Sequence, residues 1–138
     1  MKHKILVVTA HYYKNISKNL LYDVKVTLDK SKVKYKIIDV PGVFEIPVVI
    51  SKNIKSYDAF VALGCVIKGK TSHFELITKS VSDGLMNLSI INKKPIGNGI
   101  IACSSKKQAL ERSSIKKVSK NKGYESARAI YELLKIFY

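Results

Sequence analysis

Apolar residues along this chain switch repeatedly between two spacings, and each switch marks an element. KILVVT (4–9) is a short unbroken apolar run of the kind a buried β-strand carries. From Ile16 the apolar positions fall at 16, 20, 21, 24 and 28, the spacing of one helical face. VKYKIIDV (33–40) returns to strand character and stops at the Pro41-Gly42 turn. FEIPVVISKNI (44–54) reads as helix, with Pro47 tolerable only in a first turn. DAFVALGCVI (58–67) is strand-like again, and residues 72–91 carry a helical face at 74, 77, 81, 85 and 88. PIGNGIIACS (95–104) is a fourth strand, and helices near 105–115 and 122–137 complete the pattern.

Strand and helix in steady alternation predict an α/β fold, a three-layer α/β/α sandwich. Its centre is a four-stranded parallel sheet with right-handed crossovers. Such sheets bind ligands beyond the carboxyl ends of their strands. The unusual residues cluster there: TAHYY (9–13), VPGVFE (40–45) and IKGKTSH (67–73). A site built from these three loops is expected.

Length and composition narrow the class. At 138 residues the chain is expected to be one domain, 1–138, without internal repeats or low-complexity tracts. No apolar run approaches the ~18–20 residues of a membrane span. The opening MKHKILVVTAHYY has a basic start, but Tyr12, Tyr13 and Lys14 interrupt the apolar run and no small-residue cleavage site follows, so it reads as a first strand. Cys65 and Cys103 sit in apolar segments 38 positions apart, which suits buried thiols in a reducing cytoplasm. The net charge of +15 invites a nucleic-acid reading. The lysines, however, are spread over almost every segment, and the only arginines are Arg112 and Arg128. Without the bidentate arginine fork a solvated lysine-rich surface is the better reading, with neither nucleic acid nor membrane as partner.

GCVIKGKT (64–71) fits the phosphate-loop pattern G-x-x-x-x-G-K-[ST] letter for letter. Its variable positions include Val66 and Ile67, which prefer extended backbone to a curl around phosphates. It also follows the third strand rather than the first, so a nucleotide hydrolase is disfavoured. What survives is local. Ser72 and Glu75 form a capping box that opens the next helix and sets Gly69, Lys70 and Thr71 ahead of its N-terminus. Free amides and the helix dipole favour an anion there. His73 is the first helical residue after the cap; a helix N-terminus disfavours imidazolium, the condition a general base needs near pH 7. His3, His11 and His73 are scattered, and no Cys/His/carboxylate spacing suggests a metal site.

VPGVFEIPVV (40–49), ALGCVIKGKTSHFELI (62–77), QALERS (108–113) and NKGYESA (121–127) resemble, in order and spacing, the lumazine synthase family of riboflavin biosynthesis. The resemblance covers nearly the whole chain and implies a flavodoxin-like fold. It implies a condensation of 5-amino-6-(ribitylamino)uracil with 3,4-dihydroxy-2-butanone 4-phosphate to 6,7-dimethyl-8-ribityllumazine, without metal or organic cofactor. By position, His73 matches the histidine that shuttles protons, and Lys70 and Thr71 match the phosphate-binding loop. Arg112 matches an arginine that clamps phosphate from a neighbouring subunit, and Lys122 a lysine in a supporting electrostatic role. Glu45 matches the carboxylate that accepts ribityl hydroxyls, with Val43 and Phe44 supplying backbone contacts. Tyr12 matches an aromatic that stacks on the pyrimidine, and Cys65, Val66 and Ile67 fall where backbone edges the uracil.

Three departures qualify this likeness. His11 and Tyr13 flank Tyr12 where relatives often carry arginine and asparagine, so a shift by one residue would exchange the two tyrosines. Asn98 stands where many relatives place a phenylalanine that closes the neighbour's pocket. The run SSIKKVSK (113–120) is slightly longer than the linker of capsid-forming relatives, and the chain starts directly at its first strand; both lead to an expected homopentamer rather than a sixty-subunit shell. A catalytically weak flavin- or lumazine-binding module of the same fold is the alternative function.

Overall fold

The structure, a computed structural model, describes residues 3–69 and 73–138. Four strands, β1 (Lys4–Ala10), β2 (Lys34–Val40), β3 (Ala59–Ile67) and β4 (Ile96–Cys103), form an all-parallel sheet in the order β2-β1-β3-β4. Helices α1 (Lys14–Lys30), α2 (Ile46–Lys52), α3 (His73–Asn92), α4 (Lys106–Arg112) and α5 (Lys122–Phe137) connect and cover it. This is the expected α/β architecture of flavodoxin-like type.

The central strands explain the unbroken apolar runs. Successive side chains of β1 alternate between faces, and both faces are covered, so the consecutive positions Ile5–Val8 are all apolar and fully buried. Ile5 and Val7 join Val61 and Leu63 of β3 in one core with Leu20, Val24, Ile130 and Leu134 from α1 and α5. Leu6 and Val8 join Phe60 and Ala62 in the second, with Ile46, Ile50, Val81 and Leu85 from α2 and α3. Each fully buried Leu or Ile contributes ~1.5–3 kcal/mol.

Two helical boundaries differ from the pattern. The predicted helix 44–54 starts late: residues Val43–Glu45 make a single 3-10 turn before α2 begins at Ile46. Pro47 lacks the N–H that an α-helix begun at Val43 would need, so the α-pattern can only start around it. The predicted helix 105–115 ends at Arg112, where the buried Ser113 turns its hydroxyl back to Ala109 O at 2.8 Å. A second 3-10 turn, Val118–Lys120, follows before α5.

Candidate functional site

The chain runs from β1 outward to β2 and then back across β1 to β3, so the connections leave the carboxyl ends of β1 and β3 in opposite directions. A crevice at that point is where an open parallel sheet places its ligand. A cleft of about 570 Å³ lies there, lined by all three predicted loops and the start of α3. Tyr12, Val43, Phe44, Glu45, Cys65, Val66, Ile67 and His73 all border it.

Local packing explains how the loops converge. The 3-10 turn after β2 folds onto β3 because Gly64 has no side chain: a Cβ there would sit 2.5 Å from Val43 Cγ1. Gly64 therefore serves close packing, and the next three residues of the phosphate-loop pattern are inside β3. Glu45 closes that turn, its N–H donating to Gly42 O at 3.2 Å, and its half-buried carboxylate lies over Gly42. Phe44 is 62% exposed at the mouth.

The two tyrosines are distinguished by burial. Tyr13, at the N-cap position of α1, borders the cleft but is half-buried against the α1–α5 core, and burial raises its phenol pKa, with Tyr12 adding to the effect. Tyr12 is 74% exposed and stands edge-on to it, ring centroids 5.0 Å apart. Its loop is pinned on the β2 side by His11, whose N–H donates to Val40 O at 3.0 Å and whose Nδ1 lies 3.0 Å from Asp39 Oδ2. Tyr12 thus borders the cleft from a loop anchored by its neighbour His11.

Cys65 is buried in the cleft floor. Burial pushes its thiol up to about 12, with the neighbouring Cys103 adding to the rise, so no thiolate nucleophile exists there at neutral pH. Among the described residues no three His, Cys, Asp or Glu side chains converge as a metal site would require. Lys70, Thr71 and the Ser72 cap lie outside the described residues. Gly69 and His73 bracket them, and both line the cleft.

Arg112 and Lys122 are elsewhere. They border a second cavity of about 520 Å³ at the β4 edge, with Glu111, Lys120 and Glu125. An Arg112 guanidinium nitrogen donates to Ala102 O at 3.2 Å, and Lys122 Nζ lies 2.9 Å from Glu125 Oε1. Asn98 borders neither cavity; it is exposed on β4, its Oδ1 accepting from Ile100 N–H at 3.0 Å. In one chain, then, eight of the expected residues meet and three do not.

The structure also adds cleft residues. Phe74 and Ile77 form an apolar wall. They were visible as the first members of the helical stripe 74, 77, 81, 85, 88, of which Val81 and Leu85 are buried. The N-K-G motif likewise has a structural basis. Asn121 accepts from Gly123 and Tyr124 N–H at 2.8 and 3.2 Å, capping α5. A Cβ on Gly123 would lie 2.3 Å from Leu20 O, so glycine permits the approach of α5 to α1.

The 6,7-dimethyl-8-ribityllumazine synthase family model matches residues 2–137. Proteins named 6,7-dimethyl-8-ribityllumazine synthase from Afipia carboxidovorans, Bartonella henselae and Agrobacterium fabrum are 39%, 44% and 35% identical to the chain. The matches span 96%, 93% and 98% of this chain and 85%, 84% and 95% of the relatives.

Proposed function

The chain belongs to the 6,7-dimethyl-8-ribityllumazine synthase family, and from that membership we propose how its own residues carry out the condensation step of riboflavin biosynthesis. The enzyme is a transferase acting on small molecules. The amine of 5-amino-6-(ribitylamino)uracil attacks the ketone of 3,4-dihydroxy-2-butanone 4-phosphate, phosphate and water leave, and the ring closes.

The observation that carries this reading is one cleft of ligand size bordered by an exposed aromatic face, a half-buried carboxylate and an imidazole at a helix start. Tyr12 stacks on the pyrimidine, its ring being the more exposed of the two tyrosines that border the cleft. Backbone at Cys65, Val66 and Ile67 edges the uracil, and Glu45 accepts ribityl hydroxyls beside the backbone of Val43 and Phe44. His73 moves protons during imine formation and phosphate loss. Lys70 and Thr71 bind the phosphate ahead of α3, where the helix dipole favours it.

Arg112, Lys122 and Asn98 reach the site from an adjoining copy. Their position away from the chain's own cleft supports this, as do the exposed apolar residues Leu76, Met86, Ile90 and Ile91 on α3. The expected assembly is a homopentamer of 1–138 domains working in the cytoplasm. No described helix is long and apolar enough to cross a membrane. The test pairs a two-substrate turnover assay with a native mass measurement. Fluorescent lumazine from a particle of five chain masses is expected; no turnover sinks the reaction, and a megadalton particle sinks the pentamer.

A further inference from the structure

We propose that Lys120 is a further phosphate-binding residue, its ammonium joining Arg112 in the β4-edge cavity to hold the butanone phosphate of an adjoining subunit. This rests on the reading that the Arg112 cavity completes a neighbour's cleft.

The backbone at Asn121 sets the geometry. Asn121 is extended (φ −81°, ψ 119°) and fully buried. It joins the 3-10 turn that ends at Lys120 to the first residue of α5, Lys122. Asn121 is buried, Lys120 is exposed and Lys122 half-buried, and both lysines border the cavity. Their roots are fixed: Asn121 caps α5 and gives an amide N–H to Ser114 O at 3.3 Å, while Lys120 N–H donates to Lys117 O at 2.9 Å.

Charge then decides the role. Arg112, Lys120 and Lys122 face Glu111 and Glu125 in this cavity. Lys122 is already matched by Glu125, 2.9 Å away, whereas Lys120 makes no ion pair among the described residues. Without Lys120 the lining side-chain charges cancel, and the cavity has no local excess of positive charge to match a phosphate monoester carrying about −1.5 to −2 at pH 7. With Lys120 the lining is cationic, an ammonium and the arginine fork bordering one cavity.

Steady-state kinetics of Lys120→Met, Lys120→Arg and Arg112→Ala test this on the intact oligomer, with inorganic phosphate as competing probe. Lys120→Met should raise KM for the butanone phosphate about three- to tenfold. It should weaken inhibition by inorganic phosphate by the same factor and leave kcat and the pyrimidine KM within about twofold, with Lys120→Arg restoring most of the loss. A Lys120→Met enzyme with unchanged phosphate KM, beside an Arg112→Ala enzyme whose KM rises, overturns the proposal alone. So does an equal rise in both KM values, the mark of general disturbance. If Arg112→Ala is also unchanged, the cavity does not serve the phosphate, and the underlying reading fails first.

Discussion

On one face of the sheet α1 buries seven of its 17 residues and α5 five of its 16; on the other, α3 buries only Val81 and Leu85 of its 20. The first layer is closed by the chain itself, tightly enough that Gly123 is needed where α5 meets the α1 backbone. The second leaves Leu76, Met86, Ile90 and Ile91 in water and has the ligand-sized cleft at its rim. Large apolar side chains left exposed along one helix are the kind that an interaction surface uses. The closed face supplies stability, and the open face supplies the cleft and the exposed apolar side chains on which the proposed assembly rests.

The sharpest way to break this comparison is at the mouth of the open face. His73→Ala should lower kcat by about 10²–10⁴-fold with little change in either KM, measured by lumazine fluorescence. An unchanged rate removes His73 from the chemistry. Arg112→Ala should cost about 10–100-fold in kcat/KM through the phosphate substrate. Refolding the two variants together then tests sharing: mixed oligomers containing intact composite sites should regain activity that neither parent has. Mixtures no better than their parents would mean that each chain completes its own site.

Association should respond to the open face only. Ile90→Glu places a charge on it and should weaken assembly by about 2 kcal/mol or more, seen by sedimentation as dissociation on dilution. Tyr22→Glu, at an exposed site on α1, is the control that should sediment as wild type.

The smallest effect lies inside the closed face. Asp23 is buried on α1, its Oδ2 has no hydrogen-bond partner among the described residues, and burial raises its pKa. With the folded-state pKa above the unfolded one, the protonated acid suits the fold. Its stability contribution is therefore complete below the unfolded pKa and is lost as pH rises through the folded pKa. Asp23→Asn should stabilise the protein by about 1 kcal/mol at pH 7, and the gain should shrink as the solution is acidified. Thermal melts at pH 7 and pH 4 give the comparison; a destabilised Asn variant at pH 7 would mean that the carboxylate has a partner.

Most of the site could be read from the chain because its parts are local. HYY, PGVFE and the segment through His73 each belong to one strand end, and parallel topology brings strand ends together. Arg112 and Lys122 were legible as residues but not as members of a separate cavity, since that depends on where β4 lies in the sheet. Phe74 and Ile77 were legible only as helix face. The late start of α2 was written in Pro47, whose missing N–H bars an earlier one, and was lost in an apolar run that helix and strand share.

Alternating apolar spacing alone determined the strands, the helices and the sheet that orders them, because burial on two faces dictates residue type at every central position. Only the tertiary structure decided that Gly64 yields space to Val43, that Tyr12 is exposed at the cleft while Tyr13 is half-buried against the α1–α5 core, and that Asp23 Oδ2 is left without a hydrogen-bond partner among the described residues. Those outcomes depend on distances between segments far apart in the chain, and no periodicity along a sequence encodes a distance across a core.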